Sequence, residues 1–204
     1  MSDLSRLPPI YFLRHGETDW NRERRIQGQT DIALNATGRE QARKMAAKLV
    51  EIVPGLEGFG LAASPLVRAR QTMAAVLEAY GRDDAGVSVD ERLRELNFGE
   101  VEGKRWADVH AQGVAPEARP EHYHDWRPAG GESYDDGRRR VGEWLAGLRQ
   151  PTIVVAHGGI SRILRGIVFG LPKREIVQLK VPQDRFFRIE AGNLDWFDAG
   201  GGGT

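Results

Sequence analysis

Apolar residues fall into short unbroken runs separated by longer stretches with helical spacing, the alternation expected of an α/β fold. Residues 10–13 read as a strand that stops abruptly at Arg14-His15-Gly16. Thr37-Gly38-Arg39-Glu40 has capping-box spacing. Behind it Ala42, Met45, Ala46, Leu49 and Val53 recur on one helical face until Pro54-Gly55 stops the pattern. A second strand is predicted over 59–63, with Ser64 as a cap, Pro65 in the first turn, and a helix running to about Tyr80. Tyr134, Val141, Trp144, Leu145 and Leu148 mark another helix, and the β-branched run 153–156 suits a central parallel strand. After His157-Gly158-Gly159 a helix turns Ile160, Ile163, Leu164 and Ile167 inward and ends near Gly170. Two or three further strands follow. A single domain is expected over 1–199, with 200–204 as a frayed, Gly-rich tail.

Between 99 and 131 the periodicity dissolves, apart from a short helix around Trp106. This stretch is rich in Pro, Gly, His and Trp and reads as a long excursion over the surface, a kind of segment that is often functional.

Three predicted strand-to-helix junctions end in residues suited to a phosphate: Arg14-His15-Gly16, Ser64-Pro65 followed by Arg68, and His157-Gly158-Gly159. In an open parallel sheet such junctions share the carboxyl edge, where ligands bind. Glycine allows close backbone approach, helix amino ends offer free amides to an anion, and arginine adds a planar fork. A lone histidine after a strand is usually a capped or solvated residue, and a lone arginine in a first turn a surface charge. Here two of only five histidines occupy the same context, each followed by glycine. Convergence of imidazoles and guanidiniums makes a catalytic constellation, because imidazole is a nucleophile as well as a donor.

Charge and composition sharpen this picture by exclusion. The 29 basic and 29 acidic side chains balance, so no global field draws the protein to nucleic acid or a membrane, and anion binding must be local. No cysteine is present, which removes thiol nucleophiles and cysteine–zinc sites. The first residues lack a signal-peptide pattern, and no run approaches the roughly 18 apolar residues of a membrane span. A cytoplasmic protein is expected. His122-Tyr123-His124-Asp125 suggests a metal pair, but with no third ligand in view the histidines read as solvated and no metal is expected.

Arg14-His15-Gly16-Glu17-Thr18, continuing through Trp20 to Asn21, resembles the signature of the histidine phosphatase superfamily in its phosphoglycerate-mutase-like branch. The likeness continues in family order through Gln27-Gly28, 34–38, Ser64-Pro65-Leu66 with Arg68 to Thr72, 93–99, Glu102-Gly103, 130–133 and 156–159. The resemblance implies a three-layer α/β/α sandwich with a mostly parallel central sheet. It implies that His15 becomes phosphorylated and that Arg14, Arg68 and His157 clamp the phosphoryl oxygens with Asn21 assisting. Gln27, Gly28 and Gly158 would line the substrate side. Glu95 would serve as general acid and then as base; the choice of Glu95 over Glu100 or Glu102 rests on the resemblance alone. No cofactor is implied, and arginines replace metal charge in such a scheme.

Mutases of this branch carry adjacent arginines, after the acid–base glutamate, that hold the substrate's carboxylate. Here Arg119 and Arg127 are isolated, and Arg138, Arg139 and Arg140 read as a solvated helix face. A phosphatase acting on a small-molecule phosphate ester is therefore expected ahead of a cofactor-dependent mutase, and both ahead of an inactive phosphate-binding module. Trp106, His110, Tyr123 and Trp126 could stack on a substrate or simply pack the 99–131 segment onto the domain. The substrate and self-association are left open.

Overall fold

The computed structural model describes residues 7–83, 86–115 and 118–200. In chain order the elements are β1 (Ile10–Arg14), α1 (Asp19–Arg22), α2 (Ala36–Ile52), β2 (Gly60–Ala63), α3 (Val67–Ala79), β3 (Val87–Val89), α4 (Trp106–His110) and α5 (Pro120–Asp125). Then come α6 (Tyr134–Ala146), β4 (Thr152–Ala156), α7 (Gly158–Val168), α8 (Lys173–Ile176), β5 (Arg185–Glu190) and β6 (Asn193–Asp198). The six strands form one sheet in the order β3-β2-β4-β1-β5-β6. The pairs β3–β2, β2–β4 and β4–β1 are parallel, and β1–β5 and β5–β6 are antiparallel.

The period-2 alternation of strand side chains builds two cores, one on each face of the sheet. Ile10 and Phe12 point with Val154 and Ala156 into a core shared with Val141 and Trp144 of α6 and Ile160, Ile163 and Leu164 of α7. Tyr11 and Leu13 point with Ile153 and Val155 to the opposite face, onto Met45 and Leu49 of α2 and Met73 and Val76 of α3. The architecture is the expected three-layer α/β/α sandwich. β4 is buried along its whole length, which accounts for its continuous apolar sequence.

Several local expectations are corrected. Helix α2 is capped by Asn35, whose side chain accepts from the Gly38 amide at 2.9 Å, and Thr37 lies exposed inside the helix. Asn35 offers the same acceptor two residues earlier, and Gly38 is needed elsewhere. Ser64 does not cap α3 either: the N-cap is Leu66, with no side-chain bond, and Ser64 is diverted towards His157. The segment 99–131 contains a second helix, α5, whose Tyr123 and His124 are buried. Its Pro120 occupies a first-turn position that favours a helix start. Of the tail expected over 200–204, residues 201–204 lie outside the described residues.

One close crossing positions everything that follows. Gly16 and Gly38 let the loop after β1 pass against the first turn of α2. A Cβ on Gly16 would lie 2.2 Å from the Gly38 carbonyl oxygen, and one on Gly38 would lie 2.0 Å from the Glu17 carbonyl oxygen. Alanine normally gains up to about 1 kcal/mol over glycine inside a helix. Gly38→Ala should do the reverse, costing about 1–3 kcal/mol as an overpacked contact against backbone. Urea unfolding checks this; an unchanged or higher midpoint would show that the crossing can relax.

Candidate active site

The parallel register brings the three junctions to one edge. Arg14 pairs with Ala156 and Ala63 with Val155, so Ser64, His15 and His157 each follow the last residue of adjacent strands. The ladder continues one step past the strands: the His15 amide donates to the Ala156 carbonyl and the Ser64 amide to the Val155 carbonyl, both at 3.0 Å. Neighbouring strands run roughly 4.8 Å apart. Accordingly the His15 and His157 rings lie 5.1 Å apart, centroid to centroid, and His157 Nε2 lies 2.7 Å from Ser64 Oγ.

His15 is 3% exposed and its Nδ1 is 2.7 Å from the carbonyl oxygen of Gly16. A carbonyl only accepts, so Nδ1 carries the hydrogen and Nε2 keeps its lone pair. Burial, reinforced by Arg68 and Arg14, holds the His15 pKa well below the usual histidine value. Burial, then Arg68 and His15, do the same to His157, which is fully buried. Both rings are neutral at pH 7.

The two guanidiniums are anchored from behind. Arg68 is fully buried and donates to the carbonyls of Gly28 at 2.6 Å and Thr30 at 2.9 Å. Arg14 donates to the Val181 carbonyl. Burial pushes each down to about 10, with Glu95 pulling the other way, so both remain charged at neutral pH. Arg14 Nε, Arg68 Nε, His157 Nδ1 and Gln27 Oε1 are buried without a hydrogen-bond partner among the described residues. Three of these four are nitrogens, two of them on arginines that line one pocket and the third on the histidine whose ring neighbours His15. Unpaired buried polar atoms are costly, and donors left so at a crevice suit an anion that completes them.

Arg14, His15, Asn21, Gln27, Gly28, Arg68, Glu95 and Gly158 all line a cavity of about 280 Å³, and the His157 ring stands next to that of His15. Asn21 Oδ1 is taken up by the Thr18 amide and hydroxyl and by Gln183 Nε2, leaving its Nδ2 as donor. Gly28 adopts φ +52°, and a Cβ there would lie 1.9 Å from Glu102 Oε1. Glu95 is the carboxylate of this lining. Its Oε1 accepts from the Leu96 amide at 2.9 Å and its Oε2 from the Gly159 amide, in the first turn of α7, at 3.0 Å. Glu102 does other work, accepting from the amides of Gln29, Thr30 and Phe98, while Glu100 is exposed.

Two parts of the site escaped sequence reasoning. Arg162 of α7 lines the pocket, donates to the Leu179 carbonyl at 2.9 Å and sits near the Tyr134 hydroxyl. Its only signal was that it is one of two arginines, with Arg165, on a mainly apolar helix just past His157. Arg140, expected on a solvated face, is 17% exposed instead. It pairs with Glu132 and donates to the carbonyls of Arg92, Arg94 and Glu95, clamping the segment that presents Glu95. His124 is likewise buried rather than solvated, stacked on Tyr134 at 5.3 Å. His124, Asp125 and Asp135 group closely enough for a cation, but the Lys173 ammonium already bridges the two carboxylates at 2.6 and 3.2 Å. Arg119 is exposed and Arg127 pairs with Asp136; neither lines the pocket. Phe98, Trp106, His110 and Tyr123 both line it and pack together.

The family description "Histidine phosphatase superfamily (branch 1)" matches residues 10–196. This chain belongs to that superfamily. A phosphohistidine mechanism is general to these histidine phosphatases, and phosphatases are among this chain's relatives. It is 36% identical to the glucosyl-3-phosphoglycerate phosphatase of Mycolicibacterium vanbaalenii, over 82% of this chain and 76% of the relative. It is 31% identical to "Probable phosphoglycerate mutase GpmB" of Erwinia tasmaniensis, over 94% of this chain and 88% of the relative. Among solved structures, a mycobacterial glucosyl-3-phosphoglycerate phosphatase in complex with VO3 superposes with a TM-score of 0.74 at 30% identity, covering 94% and 96% of the two chains. Among the described residues, no helix of this histidine phosphatase is long and apolar enough to cross a membrane.

The depressed histidines link stability to pH. Unfolded, both rings take a proton near pH 6.5; folded, they do so only well below it. Their contribution is complete above pH 6.5 and is lost as pH falls through that value, at up to about 1.4 kcal/mol per pH unit for each ring. His15→Asn should therefore flatten the decline of unfolding free energy between pH 6.5 and 5. Equal slopes for the two proteins in denaturant titrations would contradict the burial argument.

Proposed function

We propose that this chain hydrolyses small phosphomonoesters by way of a phosphoryl group carried on His15 Nε2, with Glu95 as acid and base and without a metal. The observation that carries the reading is the pinned tautomer of His15 beside two buried guanidiniums: Nδ1 faces the Gly16 carbonyl, leaving Nε2 as the nucleophile. The likeness to a phosphatase structure holding VO3 supports it.

In the first step the Nε2–phosphorus bond forms, the ester oxygen–phosphorus bond breaks, and the leaving oxygen takes the Glu95 proton. In the second, water attacks phosphorus, its proton passes to Glu95, and the Nε2–phosphorus bond breaks. Arg14, Arg68 and Asn21 hold the equatorial oxygens. With Nε2 of His157 accepting from Ser64, its Nδ1 supplies a further donor. The transition state is loose, so such fixed charge in a desolvated pocket provides most of the acceleration. Gln27, Gly28 and Gly158 would contact the ester. The pocket volume suits a small substrate. Hydrolysis is preferred to isomerisation because Arg119 and Arg127, the isolated arginines of the stretch where mutases of this branch carry an adjacent pair, lie outside the pocket, Arg127 pairing with Asp136 instead.

Base-quenched reactions with an aryl phosphate should show acid-labile phosphate on the wild type and none on His15→Ala, with turnover indifferent to chelator. Glu95→Gln should slow alkyl phosphates by about 10²–10⁴ and aryl phosphates far less. Equal losses for both classes would remove Glu95 as the acid. Interconversion of 2- and 3-phosphoglycerate on priming with the bisphosphate would instead establish the mutase.

A further inference from the structure

The catalytic pocket adjoins a second cavity of about 670 Å³, sharing Arg14, Asn21, Arg25, Trp106 and His110 with it. The outer cavity adds Arg24 and Arg105, so four arginines there face the single carboxylate of Glu23. Glu23 is already engaged by Arg25 at 2.6 Å. Arg24 and Arg105 are exposed, and among the described residues their side chains have no ion-pair or hydrogen-bond partner.

These like charges are held together by the backbone. Arg25 and Arg105 form an antiparallel bridge, the Trp106 amide donates to the Arg24 carbonyl at 3.1 Å, and the Ile26 amide donates to the Lys104 carbonyl at 2.9 Å. Like charges directly opposite each other disfavour that pairing, and a bound anion would relieve what Glu23 and solvent leave. Arg24 also sits at φ 57°, in the left-handed region directly after the C-cap of α1. Glycine or asparagine is the usual occupant there, and a long side chain adds strain that glycine lacks. Strain kept at a cavity wall points to a use for the side chain. Between the two cavities stand Trp106 and His110, one turn apart on α4, with ring centroids 5.7 Å apart.

From this we propose that the outer cavity is a specificity subsite for a second negative group, carboxylate or phosphate, at the far end of the ester. The intervening part of the substrate crosses Trp106 and His110. The inference rests on the catalytic reading above and extends it to the substrate class: phosphomonoesters of roughly sugar-phosphate size with a distal anion.

Two matched pairs test it: 6-phosphogluconate against glucose 6-phosphate, and fructose 1,6-bisphosphate against fructose 6-phosphate. kcat/KM should favour the charged member in at least one pair, and added salt should shrink that preference. The pair that responds tells carboxylate from phosphate. Arg24→Gly and Arg105→Gln should each cut the preference about threefold to fivefold, the scale of a partly exposed ion pair. Both should leave p-nitrophenyl phosphate turnover unchanged, and Arg24→Gly should melt no lower than the wild type because strain is relieved. Equal kcat/KM within both pairs, or variants that slow the aryl phosphate as much as the charged sugars, overturns the subsite. Calorimetric binding to His15→Ala separates the two claims. A binding preference for the charged member without turnover in the wild type would overturn only the hydrolytic reading, whereas equal affinity overturns the subsite.

Discussion

Burying Arg14 and Arg68 beside two neutral imidazoles is the constraint on which the rest of this structure depends. A guanidinium out of water is expensive unless its protons find acceptors. Here the acceptors are backbone carbonyls supplied from behind, by Gly28 and Thr30 for Arg68 and by Val181 for Arg14. Those bonds leave Nε of each group unpaired at the crevice. Burial first, and then the field of Arg68 and Arg14, keeps His15 unprotonated, the state that the proposed nucleophile needs. In the proposed reaction, charge placement and nucleophile activation are one arrangement seen from two sides.

Several acidic and glycine residues serve that arrangement without touching a reacting atom. Glu102 collects the amides of Gln29, Thr30 and Phe98, fixing the loop whose carbonyls hold Arg68. Arg140 gathers three carbonyls around Glu95 and is balanced by Glu132. The Gly16–Gly38 crossing brings the His15 loop against α2. Each is a backbone-directed contact, so the geometry of the pocket is set by main chain and only finished by side chains.

The 99–131 segment joins two requirements that are often separate. Phe98, Trp106 and Tyr123 pack on one another, yet the same rings face the cavity. An aromatic ring has two faces and an edge, so one can anchor the segment while another meets a ligand. The residues alone left open whether these rings pack or face a cavity, and they do both.

The α/β class, the central β4, the helices on either side and the three phosphate-suited junctions were legible in the residues, because strand and helix periods and Gly-flanked histidines are local signals. His15, Arg14, Arg68 and His157 could be named because each stands within a few residues of a strand end. The choice of Glu95 over Glu100 and Glu102 required family likeness, and the fold explains it: only Glu95 reaches the pocket, while Glu102 turns inward to amides. Arg162 and Arg140 looked like ordinary helix charges, and the meeting of Arg24 and Arg25 with Arg105 joins segments far apart in the chain. Which arginine is solvated, which clamps a carbonyl and which faces a ligand depends on the partners that the sheet order and long loops bring together. No local period carries that information, so tertiary structure alone decided it.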